Sequence, residues 1–293
     1  NDPCDDRRER VALAAAVIAW LESLPLIPGA IVVIGGFVLF SVLLARLAAR
    51  FARPELLLEH NELTGFIFAV VGVIYALVLG FVMVGVWERF EAAESRTFDE
   101  ASSLTAVYRD AGLFANAALL RRDTRRYVEA IINIGWPDMQ AGRHSFPTAQ
   151  DAEALARDVE RTQPRDAREA GLYPLMVTAL DEALLDRDAR LALDTHGLYG
   201  IMWWTVFVGG FVTISFTYLF GFRRTVMQTA MVGTLAFLIG LVIFLTICLD
   251  YPFRGAVYVA PEAFERALHV FGQIDLADPL IVQTRAASRK ARP

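Results

Sequence analysis

The residue types that most often perform catalysis or bind metals are few and widely separated in this sequence. The four histidines are His60, His144, His196 and His269. No two of them have the spacing of a metal site, and no His-Glu-x-x-His, phosphate-binding glycine loop or Gly-x-Ser-x-Gly motif occurs. The two cysteines, Cys4 and Cys248, are too few for a thiolate cage or a disulfide framework. We therefore expect no catalytic residues, no metal site and no cofactor, and we predict that the protein is not an enzyme.

Two polar groups lie at the ends of long apolar runs, and the first follows the run that ends in LTICLD. There YPFRG brings Asp250, Pro252, Phe253 and Gly255 close together in sequence. The Asp250 carboxylate could accept the backbone amides of a turn, Pro252 fixes one dihedral angle, and Gly255 lets the chain reverse. We predict that the primary role of this turn is structural.

The second polar group, Asn61, Glu62 and Thr64, precedes another apolar run. At the start of a helix such side chains can cap unpaired backbone amides, or the amides and the helix dipole can attract an anion. Capping is the simpler interpretation, since Glu62 would repel an anion.

A further polar group and a tryptophan pair have simple explanations. His144 with Asp138 and Arg143 resembles a small site, but solvated loop residues explain the three side chains better. Trp203 and Trp204 are typical of an anchor at the membrane interface.

The composition indicates which elements must position these groups. The 293 residues are 55% hydrophobic with a mean hydropathy of +0.42, more apolar than a water-soluble core requires. Four stretches carry no charge over the roughly twenty positions that a helix needs to cross a bilayer. They are Ser23–Ala45, Leu63–Trp87, Gly197–Phe222 and Thr225–Leu249. Since only a helix satisfies the backbone of such a run in lipid, the predicted fold is an all-α integral membrane protein with four transmembrane helices.

The charged segment between the second and third spans is too long for a loop. Apolar residues recur every three or four positions, as in LLRRDTRRYVEAIINIGW, so we predict an inserted helical extramembrane domain. Its predicted breaks are at Pro137, Gly142, Pro147, Pro164 and Pro174. Thr148 with Asp151 is a possible capping box.

The predicted organisation has five segments. They are a tail with an interfacial helix (residues 1–27), the first two transmembrane helices (28–88), the helical domain (89–196), the last two transmembrane helices (197–250), and a turn, short helix and tail (251–293). The apolar residues 11–21 after RRER could alternatively belong to a signal peptide, but an interfacial helix is the preferred interpretation.

The charge distribution bears on which partners the protein can bind, but it does not determine how the chain is oriented in the membrane. The net charge of -5 and the absence of a dense basic tract exclude nucleic acid as a partner. Four spans place both tails and the inserted domain on one side of the membrane. Arginines near the span ends are about equally frequent on the two sides, so charge alone does not orient the chain.

One stripe of the second span changes from apolar to acidic. At about 100° per residue, its members are Val73, Leu77, Phe81, Val84, Glu88 and Asp99. If several copies packed around an axis, the apolar part would form a narrow neck and the acidic part rings of carboxylates. Alternatively, the span is apolar on every face and the stripe contacts lipid or core. Surface helix pairing is the default explanation for the mixed charges from Glu88 to Glu100.

The second span and its continuation, NELTGFIFAVVGVIYALVLGFVMVGVWERFEAAESRTFDEASSLTAVYR, resemble the pore-lining second helix of the bestrophin channels. That family carries a Leu-Gly-Phe step followed by an Arg-aromatic pair and a glutamate. The matching residues are Leu79, Gly80, Phe81, Arg89, Phe90 and Glu91. LDYPFRG resembles the acidic turn after the last membrane helix of bacterial bestrophins. With DEASSL and the Trp136-Pro137 pair, the chain is similar from Glu59 to Phe264 to bestrophin-like bacterial membrane proteins once classed as a domain of unknown function.

The resemblance implies a homo-oligomeric ion channel of the bacterial inner membrane, a pentamer by analogy, with the tails and the inserted domain in the cytoplasm. It assigns the pore neck to Val73, Leu77 and Phe81, and it favours anion over cation conduction slightly, because anion conduction is the commoner family activity. The implied partners are the lipid bilayer, further copies of the chain and small inorganic ions. The alternative is a non-conducting membrane scaffold or sensor whose inserted domain binds a partner.

Overall fold

The computed structural model describes residues 25–51, 61–143, 146–220 and 225–277, and these residues contain helices and no strands. Four helices are long and apolar enough to cross a membrane. They are α1 (Leu26–Phe51), α2 (Asn61–Ala111), α7 (Gly200–Thr217) and α8 (Thr225–Asp250). The predicted fold class, an all-α membrane protein with four transmembrane helices, is confirmed. The interfacial helix or signal peptide predicted at residues 11–21 lies outside the described residues.

The chain divides into two compact units. The membrane unit comprises the described residues up to Phe90 together with Gly197–Tyr258, and the inserted unit comprises Glu91–His196 with the described residues from Val259. Helix α2 contributes its first part to the membrane unit and its second part to the inserted unit. The five-segment boundaries predicted from sequence remain a prediction.

The membrane unit has an aliphatic core between its four helices. Helix α8 packs along α1 and also contacts α7. The core side chains include Tyr75, Leu79, Val82, Val206, Ile214, Val232, Ala236, Ile239, Ile243 and Ile247. Gly240 permits the close contact of α8 with α1, because a Cβ placed on it would lie 3.4 Å from the Cα of Ile34. Small residues at such points let membrane helices approach each other closely.

The inserted unit is a helical bundle closed by the short helix after the membrane. Besides the second part of α2 it contains α3 (Ala117–Ala130), α4 (Trp136–Gln140), α5 (Phe146–Glu160), α6 (Ala167–Thr195) and α9 (Glu262–Ala277). Its largest fully buried side chains include Leu104, Tyr108, Leu120, Tyr127, Met139, Leu155, Met176, Phe264 and Phe271. Helix α9 packs on α3, and α3 packs on α5.

The proline breaks predicted in this unit are only partly right. A π-helical turn, Ile131–Gly135, joins α3 to α4, so the helical path continues through Pro137, which lies in the first turn of α4. Proline at this position removes one backbone donor from the continuous helical path. The break comes at Gly142, where φ is 68°. The break predicted at Pro174 is wrong, since α6 runs through it.

The predicted capping box is also misplaced. Helix α5 begins at Phe146, so Thr148 already lies inside it and is buried rather than at the cap. A cap of the expected chemistry is instead found at α6, where the Asp166 carboxylate accepts the Glu169 N–H at 2.7 Å. Glu169 reaches back to accept the Arg165 N–H at 2.8 Å. This reciprocal arrangement satisfies two backbone donors at the start of α6.

Candidate functional site

Helix α2 carries all the predicted pore residues on one uninterrupted helix. Its 51 residues correspond to a length of about 75 Å, far more than the 30 Å or so of a bilayer core. The first part is apolar and the second is rich in charge, as the sequence predicted.

Within the membrane unit, α2 has a buried face and an exposed face. Tyr75, Leu79, Val82 and Val86 are buried, and their spacing of three or four residues places them on one stripe. The side chains predicted as the pore neck lie on the opposite stripe. Val73 is 69% exposed, Leu77 60% and Phe81 69%. The three neck residues therefore face away from the core of their own chain, as do the exposed Val84 and Glu88.

Tyr75 fixes the rotation of this part of α2. Its hydroxyl donates to the backbone carbonyl of Val206 in α7 at 2.9 Å. Its ring lies against Gly209, where an added Cβ would be only 2.5 Å from Cδ2. Because a directional hydrogen bond and a close aromatic contact hold one face of α2 on α7, the neck face cannot turn inward without breaking both.

The acidic end of the predicted stripe is only partly free. Glu88 is exposed, whereas Asp99 is half-buried and accepts a hydrogen bond from the Ser95 hydroxyl at 3.2 Å, one turn earlier on the same helix. Glu100, which the sequence assigned to surface helix pairing, is fully buried. That assignment is wrong because Glu100 lies on the same helical stripe as the buried Ala93, Thr97 and Leu104. A charge on an otherwise apolar stripe was the signal that could have revealed it.

The polar group at the start of α2 stays a predicted cap. Asn61 is the first residue of the helix, Glu62 lies exposed in its first turn, and Thr64 is half-buried. A carboxylate in a first turn interacts favourably with the positive end of the helix dipole. This position suits Glu62 as a helix-stabilising residue and opposes anion binding, as the sequence indicated.

The post-membrane turn is held by Asp250, but through other partners than those predicted. Asp250 is the last residue of α8 and is buried. Its Oδ1 accepts the backbone N–H of Leu198 at 2.6 Å, and the Trp203 side chain interacts with the same carboxylate. The Arg89 guanidinium at the end of the second span interacts with it electrostatically. The sequence expected the amides of the turn itself as donors, and it could not foresee a donor 52 residues away.

The remaining turn residues combine a left-handed glycine with buried side chains. Gly255 has a φ of 79°, in the left-handed region that glycine adopts without strain. Pro252 and Phe253 are both buried. Tyr251 packs on Gly197, where an added Cβ would lie 2.8 Å from its Cζ. The turn is therefore a packed junction of the membrane unit.

Among the described residues, no group of three or more histidine, cysteine, aspartate or glutamate side chains could hold a metal ion. Asp138 and Arg143 form an exposed ion pair at 2.8 Å, while His144 lies outside the described residues. Trp204 is 70% exposed, as suits an interfacial anchor, and Trp203 is half-buried and stacks on Phe207. The anchor role of the tryptophan pair stays a prediction.

The sequence as a whole decides the family. The profile of the Bestrophin-like domain matches residues 35–264, which is well over half of the chain and includes α2 and the post-membrane turn. The chain belongs to the Bestrophin-like family. Among curated proteins, no sequence matches this chain at a significant level.

Solved structures support the fold of this Bestrophin-like chain. A point variant of a membrane protein superposes with a TM-score of 0.60 at 18% identity, covering 82% of this chain and 98% of the other. Two point variants of a bacterial bestrophin homologue from Klebsiella pneumoniae give TM-scores of 0.58 and 0.52, both at 18% identity. They cover 81% and 82% of this chain, respectively, and 98% of their own. At this identity the likeness concerns the fold.

Proposed function

We propose that the protein is a homo-oligomeric, pentameric ion channel whose pore is lined by α2. The bestrophin family is a family of ion channels and not of enzymes, which supports transport as the activity. The observation that carries the proposal is the orientation of α2. Its buried stripe is held on its own chain by Tyr75, while Val73, Leu77 and Phe81 point away from that core.

The neck and the acidic residues have separate roles in this proposal. Val73, Leu77 and Phe81 form a hydrophobic constriction that can close by dewetting. Val84, Glu88 and Asp99 continue the path on the same helix, and the Glu88 carboxylates form a ring. Carboxylate rings favour cations, whereas anion conduction is the commoner activity of bestrophins, and we propose anion conduction with Glu88 as an opposing influence.

The proposed setting is the bacterial inner membrane, with both tails and the inserted unit in the cytoplasm. The partners are the bilayer, the other copies of the chain and small inorganic ions. The exposed apolar side chains of all four membrane helices support contact with lipid or with other subunits; examples are Ile31, Phe66, Phe211 and Val226. An aqueous environment would make so much exposed apolar surface costly.

The test is conductance of the purified protein in planar bilayers, with Phe81→Ala compared with wild type. We expect wild-type protein to conduct and Phe81→Ala to raise the conductance or the leak in the closed state, because the constriction loses its largest side chain. Phe237→Ala is the matched control, since Phe237 is an exposed phenylalanine of α8. The absence of conductance in both proteins, or equal effects of the two substitutions, would contradict the proposal and favour a membrane scaffold.

A further inference from the structure

A fully buried ion pair joins α2 to α6 inside the inserted unit. Glu100 of α2 is 0% exposed and Arg190 of α6 is 3% exposed. Arg190 Nε donates to Glu100 Oε2 at 2.7 Å and Nη2 donates to Glu100 Oε1 at 3.2 Å. The pairing is therefore bidentate, the geometry that most strictly fixes how guanidinium and carboxylate lie relative to each other.

The surroundings satisfy both charges and hold them from several helices. The Tyr127 hydroxyl of α3 donates to Glu100 Oε1 at 3.1 Å, and Arg190 Nη1 lies 3.1 Å from Met139 Sδ of α4. The guanidinium carbon of Arg190 lies 5.5 Å from the Trp136 ring centroid and 5.6 Å from that of Phe264, distances typical of cation–π contacts.

Tyr127 and Arg190 both keep their protons in this cluster. Burial, with the negative charge of Glu100, raises the pKa of Tyr127 well above its usual value, so its phenol remains a hydrogen-bond donor. Burial lowers the pKa of Arg190, but the attraction and hydrogen bonds of Glu100 outweigh this effect and raise it overall. Arg190 thus stays charged at every physiological pH.

Stability alone is a weak reason for such a pair. Removing two charges from water costs so much that well-packed apolar residues often stabilise a core equally well. What a bidentate buried pair adds is a definite rotation and register of the helices that carry it. On α2, Glu100 faces the core while its neighbour Asp99 is about 100° around the helix, and exposed Ser102 lies near the outward face. The pair therefore sets the direction in which Asp99 and Ser102 point.

We propose that Glu100 and Arg190 are positioning residues that fix the rotation of the second part of α2 and so determine which of its side chains face the ion path. This inference rests on the proposed function, in which α2 lines the pore. The rotation itself is a property of the inserted unit and can be measured without any conductance.

The test uses single cysteines in full-length protein in which Cys4 and Cys248 are replaced by serine. Ser102→Cys reports the exposed side of α2 and Thr97→Cys the buried side, since Thr97 is 1% exposed. With Glu100 intact, a membrane-impermeant thiol reagent should modify the Ser102→Cys protein much faster than the Thr97→Cys protein. With Glu100→Gln, which keeps the shape but removes the charge, we expect this difference in rate to shrink severalfold.

The matched control is Asp186→Asn, which removes a second ion pair between the same helices. Arg96 Nη1 and Asp186 Oδ1 are 2.8 Å apart, but the Arg96 side chain is 51% exposed. Such half-exposed pairs contribute little, so the difference in rate should persist in this variant. An unchanged difference in Glu100→Gln, or an equal loss in both variants, would overturn the proposal.

A second variant guards against simple unfolding. Glu100→Leu with Arg190→Met replaces the pair by apolar residues of similar size, and we expect the thermal midpoint to recover relative to Glu100→Leu alone. In bilayers, the reversal potential of the folded double variant should still be shifted from that of wild type. If the double variant recovers the thermal midpoint and also has the reversal potential of wild type, the ion pair serves stability only and the proposal is wrong. Absent conductance in wild type would count against the proposed function, while the thiol rates would still decide the positioning.

Discussion

The Asp250 carboxylate joins the end of α8 to the residues just before α7 through the Leu198 N–H. Asp250→Leu removes the acceptor and leaves this part-buried donor without it, so we expect a loss of about 1–3 kcal/mol in the free energy of unfolding. Asp250→Asn keeps an acceptor oxygen and should cost clearly less. Thermal unfolding in detergent gives the comparison, and equal midpoints for the two variants would contradict the assigned role.

Asp158 gives the inserted unit a defined pH dependence. Its hydrogen bond to Asp123, together with partial burial and the Asp123 charge, raises the pKa of the Asp158 carboxyl above its ordinary value. The folded state thus binds this proton more tightly than the unfolded state. Its stabilising effect is fully present below the ordinary carboxyl pKa and is lost as the pH rises through the raised, folded-state pKa.

Asp158→Asn should remove this dependence, because an amide does not titrate. We expect the variant to melt at a higher temperature than wild type at neutral pH, and the difference to vanish below about pH 4, where wild-type Asp158 is protonated in both states. Melting curves across this range test the sign. A difference that grows as the pH falls would be the opposite of the expected linkage.

At the scale of elements, the contact between α2 and α7 requires a glycine at position 209, because the Tyr75 ring occupies the space of a Cβ. Gly209→Ala would place a Cβ about 2.5 Å from the Tyr75 ring and displace the hydroxyl that donates to Val206. Overpacking of this kind costs about 1–3 kcal/mol, which should appear as a lower thermal midpoint. Gly36→Ala in α1 is the control, because nothing lies within 4 Å of its added Cβ. Equal midpoints for the two variants would show that Tyr75 does not hold α2.

The elements that were best predicted from sequence are the transmembrane helices, because in lipid only a helix satisfies the backbone hydrogen bonds of an apolar run. The four uncharged runs had to be helices, and the described residues contain all four. Their ends were less certain, since the third span was predicted to extend to Phe222 and its helix ends at Thr217. The helix break predicted at Pro174 was wrong because a proline removes only one backbone hydrogen bond. The packing of the 29-residue helix outweighs that loss.

The contacts that position the candidate site were beyond sequence reasoning for a different reason. Asp250 and its donor Leu198 are 52 residues apart, and Glu100 and Arg190 are 90 residues apart. Local patterns carry no record of such pairings. The stripe of α2 was predictable from helical periodicity, whereas the fact that Tyr75 turns the neck side chains away from the core needed the structure.

At the scale of the whole molecule, the proposed assembly would bring the Glu88 carboxylates of its subunits near one another. Glu88→Gln would remove one negative charge per subunit from the proposed ring, so we expect the reversal potential under a salt gradient to move toward that of the anion. The shift should be larger at low ionic strength, where screening is weaker. Glu160→Gln, an exposed glutamate of α5, serves as the control. Identical potentials for the two variants would exclude Glu88 from the ion path.

The direction of the Phe81 side chain in the intact assembly tests the central proposal most directly. An electron-microscopy map of the purified protein in lipid nanodiscs would give the number of subunits and the position of α2 in each. We predict a pentamer with the Phe81 rings around the symmetry axis and a water-filled path on either side of them. A map in which Phe81 contacts acyl chains, or in which a single subunit stands alone, would contradict the account.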